Sequence, residues 1–212
     1  MIIAIDGPAG SGKSTIAREV ARRFCFDKLD TGAMYRATGY KIDKEGVPFE
    51  EGDALAALLD STDIDFVSGD IILDGVVVND LIRTPEVSML ASKCAALPSV
   101  RAKLVEIQRG MGQRKSVIMD GRDIGTNVLK DAEYKIFLTA SAEERAQRRF
   151  KELQEKGESQ TYEEVLEDVK QRDYNDMTRE LNPLRKADDA IELDTTGMGI
   201  DEVVAAVLDI VK

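Results

Sequence analysis

A glycine-rich loop between a predicted strand and a predicted helix constrains this chain more than any other feature. The run Gly7-Pro-Ala-Gly-Ser-Gly-Lys-Ser14 fits the pattern GxxxxGK[ST]; it follows an apolar segment at 2–6 and precedes helical spacing at 13–24. In that context the backbone N–H groups of the loop point at phosphate oxygens, and the helix N-terminus adds partial positive charge. The motif therefore predicts an α/β fold that binds a nucleoside triphosphate with Mg²⁺.

The last two residues of this loop have separate predicted tasks. Lys13 is expected to reach the outer phosphates, and the Ser14 hydroxyl is expected to ligate Mg²⁺. The residues predicted to bind the triphosphate are Gly7, Pro8, Ala9, Gly10, Ser11, Gly12, Lys13, Ser14 and Thr15.

Short apolar runs alternate with helical spacing along most of the chain. Strands are predicted at 2–6, 116–120, 134–139 and 190–194, with a short fifth strand at 28–30. Because apolarity in the longer runs is continuous rather than alternating, they fit a parallel sheet that helices cover on both faces.

Two charged helices are predicted at 142–156 and 162–179. Each has a capping box at its start, Ser141 with Glu144 and Thr161 with Glu164, which satisfies the free N–H groups of the first turn. Large apolar residues are few in both helices. We therefore expect the pair to lie partly off the core as a mobile hairpin.

The segment at 43–97 breaks the alternation of strands and helices. Strand-forming runs surround glycine turns at Gly69 and Gly75, and Thr84-Pro85 is predicted to open a helix with threonine as its N-cap. We predict a small α/β insertion within a single parent domain.

Composition excludes several classes of function. No histidine occurs among the 212 residues, so Ser-His-Asp and Cys-His nucleophiles and HExxH zinc sites are excluded. The 40 acidic against 29 basic residues give a net charge of −11, which argues against non-specific binding to nucleic acid or acidic membranes. Cys25 and Cys94 have no zinc-ligand spacing, and we expect two reduced thiols. No signal peptide is predicted, and no apolar run approaches the roughly 18 residues of a membrane span.

Acids and arginines follow two predicted strands at the edge where open α/β sheets bind ligands. Arg36 is a candidate to grip an acceptor phosphate bidentately. An acid that ends such a strand orients the water shell of Mg²⁺, and Asp120 and Asp123 are alternative candidates for this role. The candidates are Asp30, Thr31 and Arg36 after the strand at 28–30, and Asp120, Arg122 and Asp123 after the strand at 116–120.

The two charged helices carry further arginines. Arg172, Asp176 and Arg179 have spacings of four and three and share one helix face, and a second arginine cluster lies on the preceding helix. Two such helices joined by a polar loop could close over phosphates and neutralise charge in the transition state. The chain lacks the Asn-Lys-x-Asp segment of regulatory GTPases. The pattern therefore favours a kinase that acts on a small phosphorylated acceptor.

Together these motifs resemble one family, the bacterial cytidylate kinases of the nucleoside monophosphate kinase superfamily. The resemblance covers nearly the whole chain and includes LDTGAMYR at 29–36, IRT at 82–84, DGRDIGT at 120–126, KIFL at 135–138, SAEERA at 141–146, RR at 148–149, LQEKG at 153–157 and RD at 172–173. It implies that the chain transfers the γ-phosphoryl group of MgATP to CMP or dCMP, giving ADP and CDP or dCDP.

The resemblance also implies an architecture. This is a P-loop NTPase fold with a five-stranded parallel sheet flanked by helices, an α/β nucleoside monophosphate-binding insertion and a helical lid. The core would comprise 1–42, 98–147 and 161–212, the insertion 43–97 and the lid 148–160. A cytoplasmic monomer that binds neither nucleic acid nor membrane is the family expectation.

Site residues are carried over from the family onto matching positions. Residues matching Ser92, Arg101 and Asp176 contact the cytosine or the sugar in the family, and the remaining arginines hold phosphate. Thr31 stands where a serine is also common, but it keeps the hydroxyl. The implied catalytic residues are Lys13, Arg122, Arg179 and Arg148, with Arg145 and Arg149 as alternatives to Arg148 in the lid. The implied acceptor site comprises Asp30, Thr31, Arg36, Ser92, Arg101, Arg122, Asp123, Arg172, Asp176 and Arg179, and Asp120 is the candidate that orients Mg²⁺ through water.

Two other functions remain open at this point. A P-loop kinase with another small acceptor, such as UMP, AMP or shikimate, would need a similar set of arginines. A nucleotide-binding regulatory module without phosphoryl transfer would keep the phosphate loop, but it would leave the arginine spacing unexplained.

Overall fold

The computed structural model describes residues 1–67, 69–113, 116–155 and 157–212. Its strands are β1 (Ile2–Asp6), β2 (Asp27–Asp30), β3 (Ile64–Val67), β4 (Asp70–Leu73), β5 (Val76–Val77), β6 (Val117–Gly121), β7 (Tyr134–Thr139) and β8 (Ile191–Asp194). Its helices are α1 (Lys13–Phe24), α2 (Thr31–Lys44), α3 (Asp53–Asp60), α4 (Pro85–Ala95), α5 (Pro98–Gly112), α6 (Ala142–Glu155), α7 (Tyr162–Thr178) and α8 (Ile200–Ile210). A single π-helical turn, Ile124–Val128, follows β6.

Five parallel strands form the central sheet in the order β2-β6-β1-β7-β8. This confirms the predicted parallel sheet, including the short second strand. The register pairs Asp30 with Asp120 and Asp6 with Gly121, so three acids end neighbouring strands at one edge of the sheet. The functional residues are therefore to be sought at that edge.

Both faces of the sheet are covered, as the continuous apolarity of the strands predicts. Ile3 and Ile5 on one face of β1 pack with Val20 of α1 and Val204 of α8. Ala4, on the opposite face, belongs to a second cluster with side chains of α5 and β6. Complete burial of each isoleucine contributes about 1.5–3 kcal/mol to folding.

The segment at 43–97 contains α3, the antiparallel three-stranded sheet β3-β4-β5 and α4. The predicted turn before β5 is present, with Asp74 and Gly75 at φ of 50° and 79°. Thr84 caps α4 as predicted, because its Oγ1 accepts a hydrogen bond from the Val87 N–H at 3.2 Å. Apolar side chains of the segment pack against α2, so it is anchored directly on the helix that follows β2.

The helical hairpin α6–α7 has a small apolar cluster of its own, formed by Ala146, Leu153, Val165 and Val169. The capping box of Thr161 with Glu164 is complete, as predicted. The predicted end of the first helix at Lys156 lies outside the described residues.

Only one of the two hydrogen bonds of the capping box predicted at Ser141 is present, so that prediction is wrong for the other bond. Ser141 Oγ accepts from the Glu144 N–H at 3.2 Å, but the Ser141 N–H donates to Thr196 Oγ1 and the Glu144 carboxylate pairs with Arg148. Two tertiary partners therefore replace the reciprocal bond.

Within the described part of the chain, no helix has the length and apolarity to cross a membrane.

Candidate active site

The phosphate loop joins the C-terminal end of β1 to α1. Gly7 has φ of 149°, and a Cβ atom there would lie 2.0 Å from the Leu138 carbonyl oxygen, so only glycine fits. Gly12 adopts φ of 88° at the N-cap of α1 and offers no side chain to the first turn. The N-terminal N–H groups of α1 thus face the loop without a side-chain cap, which is the arrangement that binds phosphate.

Lys13 lies buried across this loop. Its Nζ donates to the Pro8 carbonyl at 2.6 Å and to Ser11 Oγ at 3.3 Å. Burial lowers the pKa of Lys13 well below its usual value, and the neighbouring Arg122 lowers it further. The charges of Lys13 and Arg122 therefore repel each other, and a bound anion would relieve this repulsion.

Oxygen donors converge where β2 and β6 end beside α1. Ser14 Oγ lies 2.8 Å from Asp120 Oδ2 and 3.2 Å from Asp30 Oδ2. Asp120 is 4% exposed, and its Oδ1 has no hydrogen-bond partner among the described residues. Burial raises the pKa of Asp120, and the adjacent Asp30 raises it further. Such a site attracts a cation.

The chemistry of these donors fits Mg²⁺, which prefers hard oxygen ligands and takes most of them from water and phosphate. In the described residues, no group of three or more Asp, Glu, Cys or His side chains has metal-binding geometry. Of the two acids left open by the sequence, Asp120 lies beside Ser14.

Asp123 is instead paired with two arginines. Its Oδ2 accepts from Arg101 Nη2 at 2.5 Å, and its Oδ1 accepts from Arg179 Nη2 at 3.2 Å. Tyr35 stacks against the same group, with the Arg101 guanidinium carbon 5.7 Å from the centre of its ring. Burial raises the pKa of Tyr35 to about 12, so its hydroxyl remains protonated at neutral pH. This cluster brings together α2, α5, the end of β6 and the end of α7.

Arg122 and Asp176 form a second buried pair. Arg122 Nε donates to Asp176 Oδ2 at 2.7 Å. Burial alone would raise the pKa of Asp176, but Arg122 outweighs it, with help from Arg172 and Arg179, and holds that pKa below its usual value. Asp176 is therefore an ionised carboxylate within a group of arginines.

Three arginines of the candidate acceptor site have donors left over. The buried Nε atoms of Arg36, Arg101 and Arg172 find no hydrogen-bond partner in the described part of the chain. Arg36 makes an ion pair with Asp30 at 3.2 Å through Nη2. Burial lowers the pKa of Arg172 to about 10, and the nearby charge of Arg122 adds to this effect. A bound anion would accept hydrogen bonds from these unpaired donors and neutralise the excess positive charge.

The structure places the remaining predicted acceptor residues as follows. Thr31 Oγ1 donates to the Asp120 carbonyl at 2.8 Å and so ties the start of α2 to the end of β6. Ser92 lies half-buried on α4, with Oγ 3.5 Å from the Ser88 carbonyl. This bond within the helix is long, and the hydroxyl has little to hold it there.

The three lid arginines differ in their contacts. Arg145 is buried and makes two bonds to Asp173 and one each to the carbonyls of Ala140 and Ala9. Arg148 donates to Glu144 and to the Thr195 carbonyl, both at 3.2 Å. The charge of Arg149 acts on Arg172. Arg145 therefore fastens α7 to the phosphate loop, whereas the Arg149 side chain contacts Glu152 of its own helix, at 3.5 Å.

Asp6 fixes the loop that carries these residues. Its two carboxylate oxygens accept from the N–H groups of Ile124 and Gly125, each at 2.8 Å. Burial raises the pKa of Asp6 to about 6, and the two backbone bonds only partly oppose this. The π-helical turn is thereby held against the end of β1.

This shift predicts a pH dependence of stability. Between about pH 4 and pH 6 the folded protein holds the Asp6 proton more tightly than the unfolded chain, so the Asp6 contribution to the unfolding free energy falls as pH rises. The total change is about 3 kcal/mol, of which about 2 kcal/mol falls between pH 4.5 and pH 7. Denaturant unfolding of the wild type and Asp6→Asn at pH 4.5 and pH 7 measures it as the change in the difference between the two proteins. A difference that stays constant across this range would contradict the prediction.

Sequence reasoning missed two residues of the site. Tyr35 lies within the LDTGAMYR motif but was given no role. Lys28 was treated only as part of a strand, yet its Nζ lies 3.2 Å from Ser14 Oγ and 3.4 Å from Asp120 Oδ1. Its spacing of two from Asp30 puts both side chains on one face of β2, and this was a signal that could have found it.

Comparisons with known proteins agree on a family. A family model described as Cytidylate kinase matches residues 3–212. A protein named cytidylate kinase from Caldicellulosiruptor saccharolyticus is 53% identical over 212 residues, which cover 98% of this chain and 94% of that protein. One of the same name from Carboxydothermus hydrogenoformans is also 53% identical, over 100% of this chain and 97% of that protein.

Solved structures show the same fold at low identity. A crystal structure of an uncharacterized protein from Eubacterium ventriosum aligns with 99% of this chain and 96% of its own, with a TM-score of 0.54 and 14% identity. A shikimate kinase from Bacteroides thetaiotaomicron aligns with 100% of this chain and 98% of its own, with a TM-score of 0.51 and 10% identity. The architecture is thus that of a P-loop kinase.

Proposed function

The chain belongs to the cytidylate kinase family, and from this premise and the geometry of the site we propose that it transfers the γ-phosphoryl group of MgATP to CMP or dCMP. The products are ADP and CDP or dCDP. As a member of that family the protein is a kinase. We propose in addition which residues of this chain perform the reaction and which acceptor receives the phosphoryl group.

One observation carries the proposal. Arg36, Arg101 and Arg172 leave buried Nε donors without partners in the described residues, and Arg36 pairs with Asp30, which lies 3.2 Å from Ser14 of the phosphate loop. A triphosphate on the loop and a monophosphate among the arginines would place donor and acceptor phosphates next to each other. This juxtaposition is what transfer between two phosphates requires.

On the donor side, the loop amides and Lys13 would hold the β- and γ-phosphates. Ser14 would bind Mg²⁺ directly and Asp120 would orient it through water. When bound, the metal neutralises charge on the transferring group.

On the acceptor side, Arg36, Arg122, Arg172 and Arg179 would hold and orient the monophosphate. Ser92, Arg101 and Asp176 would contact the cytosine or sugar, and Asp30 and Thr31 would add polar contacts. Asp123 belongs to the same acceptor site and pairs with Arg101 and Arg179. The second pKa of a phosphate ester is about 6, so the attacking oxygen is largely ionised at pH 7. No general base is needed, which agrees with a chain that has no histidine.

The proposal includes the division of the chain into a core at 1–42, 98–147 and 161–212, an insertion at 43–97 and a lid at 148–160. Arg148 is the first candidate from the family for the transferring group, with Arg145 and Arg149 as alternatives, and the charge of Arg149, which acts on Arg172, supports Arg149 over Arg145. A cytoplasmic location and a monomeric state are further parts of the proposal that come from the family.

Closure of the lid predicts a change in amide exchange. The hairpin is held by a small apolar cluster, and arginines on its first helix would gain phosphate partners when the site is filled. We expect exchange around 148–160 to slow when ATP and CMP analogues bind together, and to slow less with either alone. Hydrogen–deuterium exchange followed by mass spectrometry measures this. Equal exchange in the free and doubly bound protein would indicate a rigid hairpin.

Steady-state assays across a panel of acceptors test the proposal. ADP release with MgATP should depend on CMP or dCMP, and kcat/KM should exceed that for UMP, AMP or shikimate. A preference for another acceptor would overturn the assignment of the base site. ADP release that depends on no acceptor would favour a nucleotide-binding module without phosphoryl transfer.

A further inference from the structure

A lysine ammonium occupies the metal side of the site. Lys28 Nζ lies 3.2 Å from Ser14 Oγ, 3.4 Å from Asp120 Oδ1 and 3.9 Å from Asp30 Oδ2. Two of these residues, Ser14 and Asp120, are the ones proposed to hold Mg²⁺. The Lys28 side chain is 20% exposed, so solvent screens its charge only partly.

The charge balance explains why this lysine matters. Without Lys28, the ion pair of Arg36 with Asp30 would remain, whereas Lys13 and Arg122 act on Asp120 through their charge without an ion-pair contact among the described residues. The Asp120 side chain would then have Ser14 as its hydrogen-bond partner, and its buried Oδ1 would lose the ion pair with Lys28 and have no hydrogen-bond partner among the described residues. An anionic, oxygen-rich pocket of this kind binds divalent cations.

An ammonium group and a divalent cation that share the same oxygen ligands lie within a few ångströms of each other and repel. The side chain therefore has to withdraw when Mg²⁺ binds. A cavity of about 50 Å³ adjoins it, lined in part by Lys28, Asp30 and Arg36. The four-carbon chain can move into this space and remain beside Asp30.

We propose that Lys28 is a built-in counter-cation of the metal site. It holds Ser14, Asp30 and Asp120 together in the nucleotide-free protein and keeps free divalent cations from binding there. Mg²⁺ enters only with a triphosphate, whose negative charge offsets the cost of displacing the lysine. The inference rests on the metal site of the proposed function and concerns a residue to which that function assigns no task.

Removal of the lysine charge tests the proposal on protein without nucleotide. We use Mn²⁺ as the probe, because the electron paramagnetic resonance signal of the free ion disappears when it binds. Lys28→Met should bind one Mn²⁺ at least tenfold more tightly than the wild type. Addition of Asp120→Asn to Lys28→Met should abolish this gain, because it removes a ligand charge from the same site.

A matched control separates this effect from the change in net charge. Lys130 is exposed and precedes the N-terminal end of β7, at the opposite edge of the sheet from the site. Lys130→Met should leave Mn²⁺ affinity at the wild-type value. If Lys28→Met fails to fold by circular dichroism, Lys28→Gln provides the same loss of charge with a polar side chain.

Three results would overturn the proposal. One is unchanged Mn²⁺ affinity in folded Lys28→Met or Lys28→Gln, and another is a gain that persists with Asp120→Asn. The third is a raised KM for CMP at saturating Mg²⁺ with unchanged Mn²⁺ affinity, which would make Lys28 an acceptor ligand. Wild-type activity in the acceptor panel is measured in parallel, so a failure of the kinase assignment is distinguishable from a failure of the role of Lys28.

Discussion

Replacement of Lys13 with alanine should lower kcat by about 10³-fold, because one preorganised charge next to the transferring phosphoryl group is lost. The ammonium lies buried among the loop oxygens that frame the triphosphate site, and no other lysine in the GxxxxGK[ST] motif replaces it. The nearby Arg122 is already engaged with Asp176. The decisive measurement is kcat with saturating MgATP and CMP.

The fold of this variant should persist. Loss of Lys13 leaves the Pro8 carbonyl without one donor, but it also removes a buried charge whose pKa burial already lowers. These effects oppose each other, so we expect the unfolding free energy to change by no more than about 1–2 kcal/mol. Lys13→Met, which keeps the length of the side chain, should lose kcat equally. Near-wild-type transfer by a folded Lys13→Ala protein would rule out the proposed phosphate loop.

The sheet and the phosphate loop could be predicted because they depend on local signals. A β-branched run before a glycine motif and helical spacing after it specify β1 and α1, and the observed bounds agree with the predicted ones. The short strand β2 was also found, since Asp30 ends it directly before a helix. Such features need no knowledge of distant residues.

Partners that are distant in sequence could not be predicted from local signals. The choice between Asp120 and Asp123 depends on the strand register, which pairs Asp120 with Asp30 and puts both beside Ser14. Asp123, three residues later, turns away toward Arg101 and Arg179. Spacing alone does not separate two acids so close in the chain.

The same limit explains the half-formed capping box. Ser141 and Glu144 have the residue types of the motif, but Thr196 from the other end of the chain takes the Ser141 N–H. Lys28 is a comparable case, because its partners come from α1 and β6. A tertiary partner that competes with a local one is invisible until the fold brings it close.

Asp176→Ala should weaken the binding of CMP much more than the binding of ATP. The change removes the carboxylate that pairs with Arg122 and whose ionisation Arg172 and Arg179 support. In the proposed function this carboxylate also contacts the cytosine or the sugar, and a hydrogen bond that involves a charged group is worth about 1.5–3 kcal/mol. We therefore expect the Kd for CMP to rise by a factor of about 30 or more.

ATP binding should change much less in the same protein, because the loop amides and Lys13, which we propose hold the triphosphate, make no hydrogen bond to Asp176 among the described residues. Asp176 reaches Lys13 only through its charge, so a change in the Kd for ATP of no more than about threefold is expected. Isothermal titration with each nucleotide measures both constants. Glu180→Ala is the matched control, since it removes an exposed carboxylate four residues away and should leave both unchanged. If Asp176→Ala weakened both nucleotides equally, Asp176 would belong to the general stability of the site and not to the acceptor.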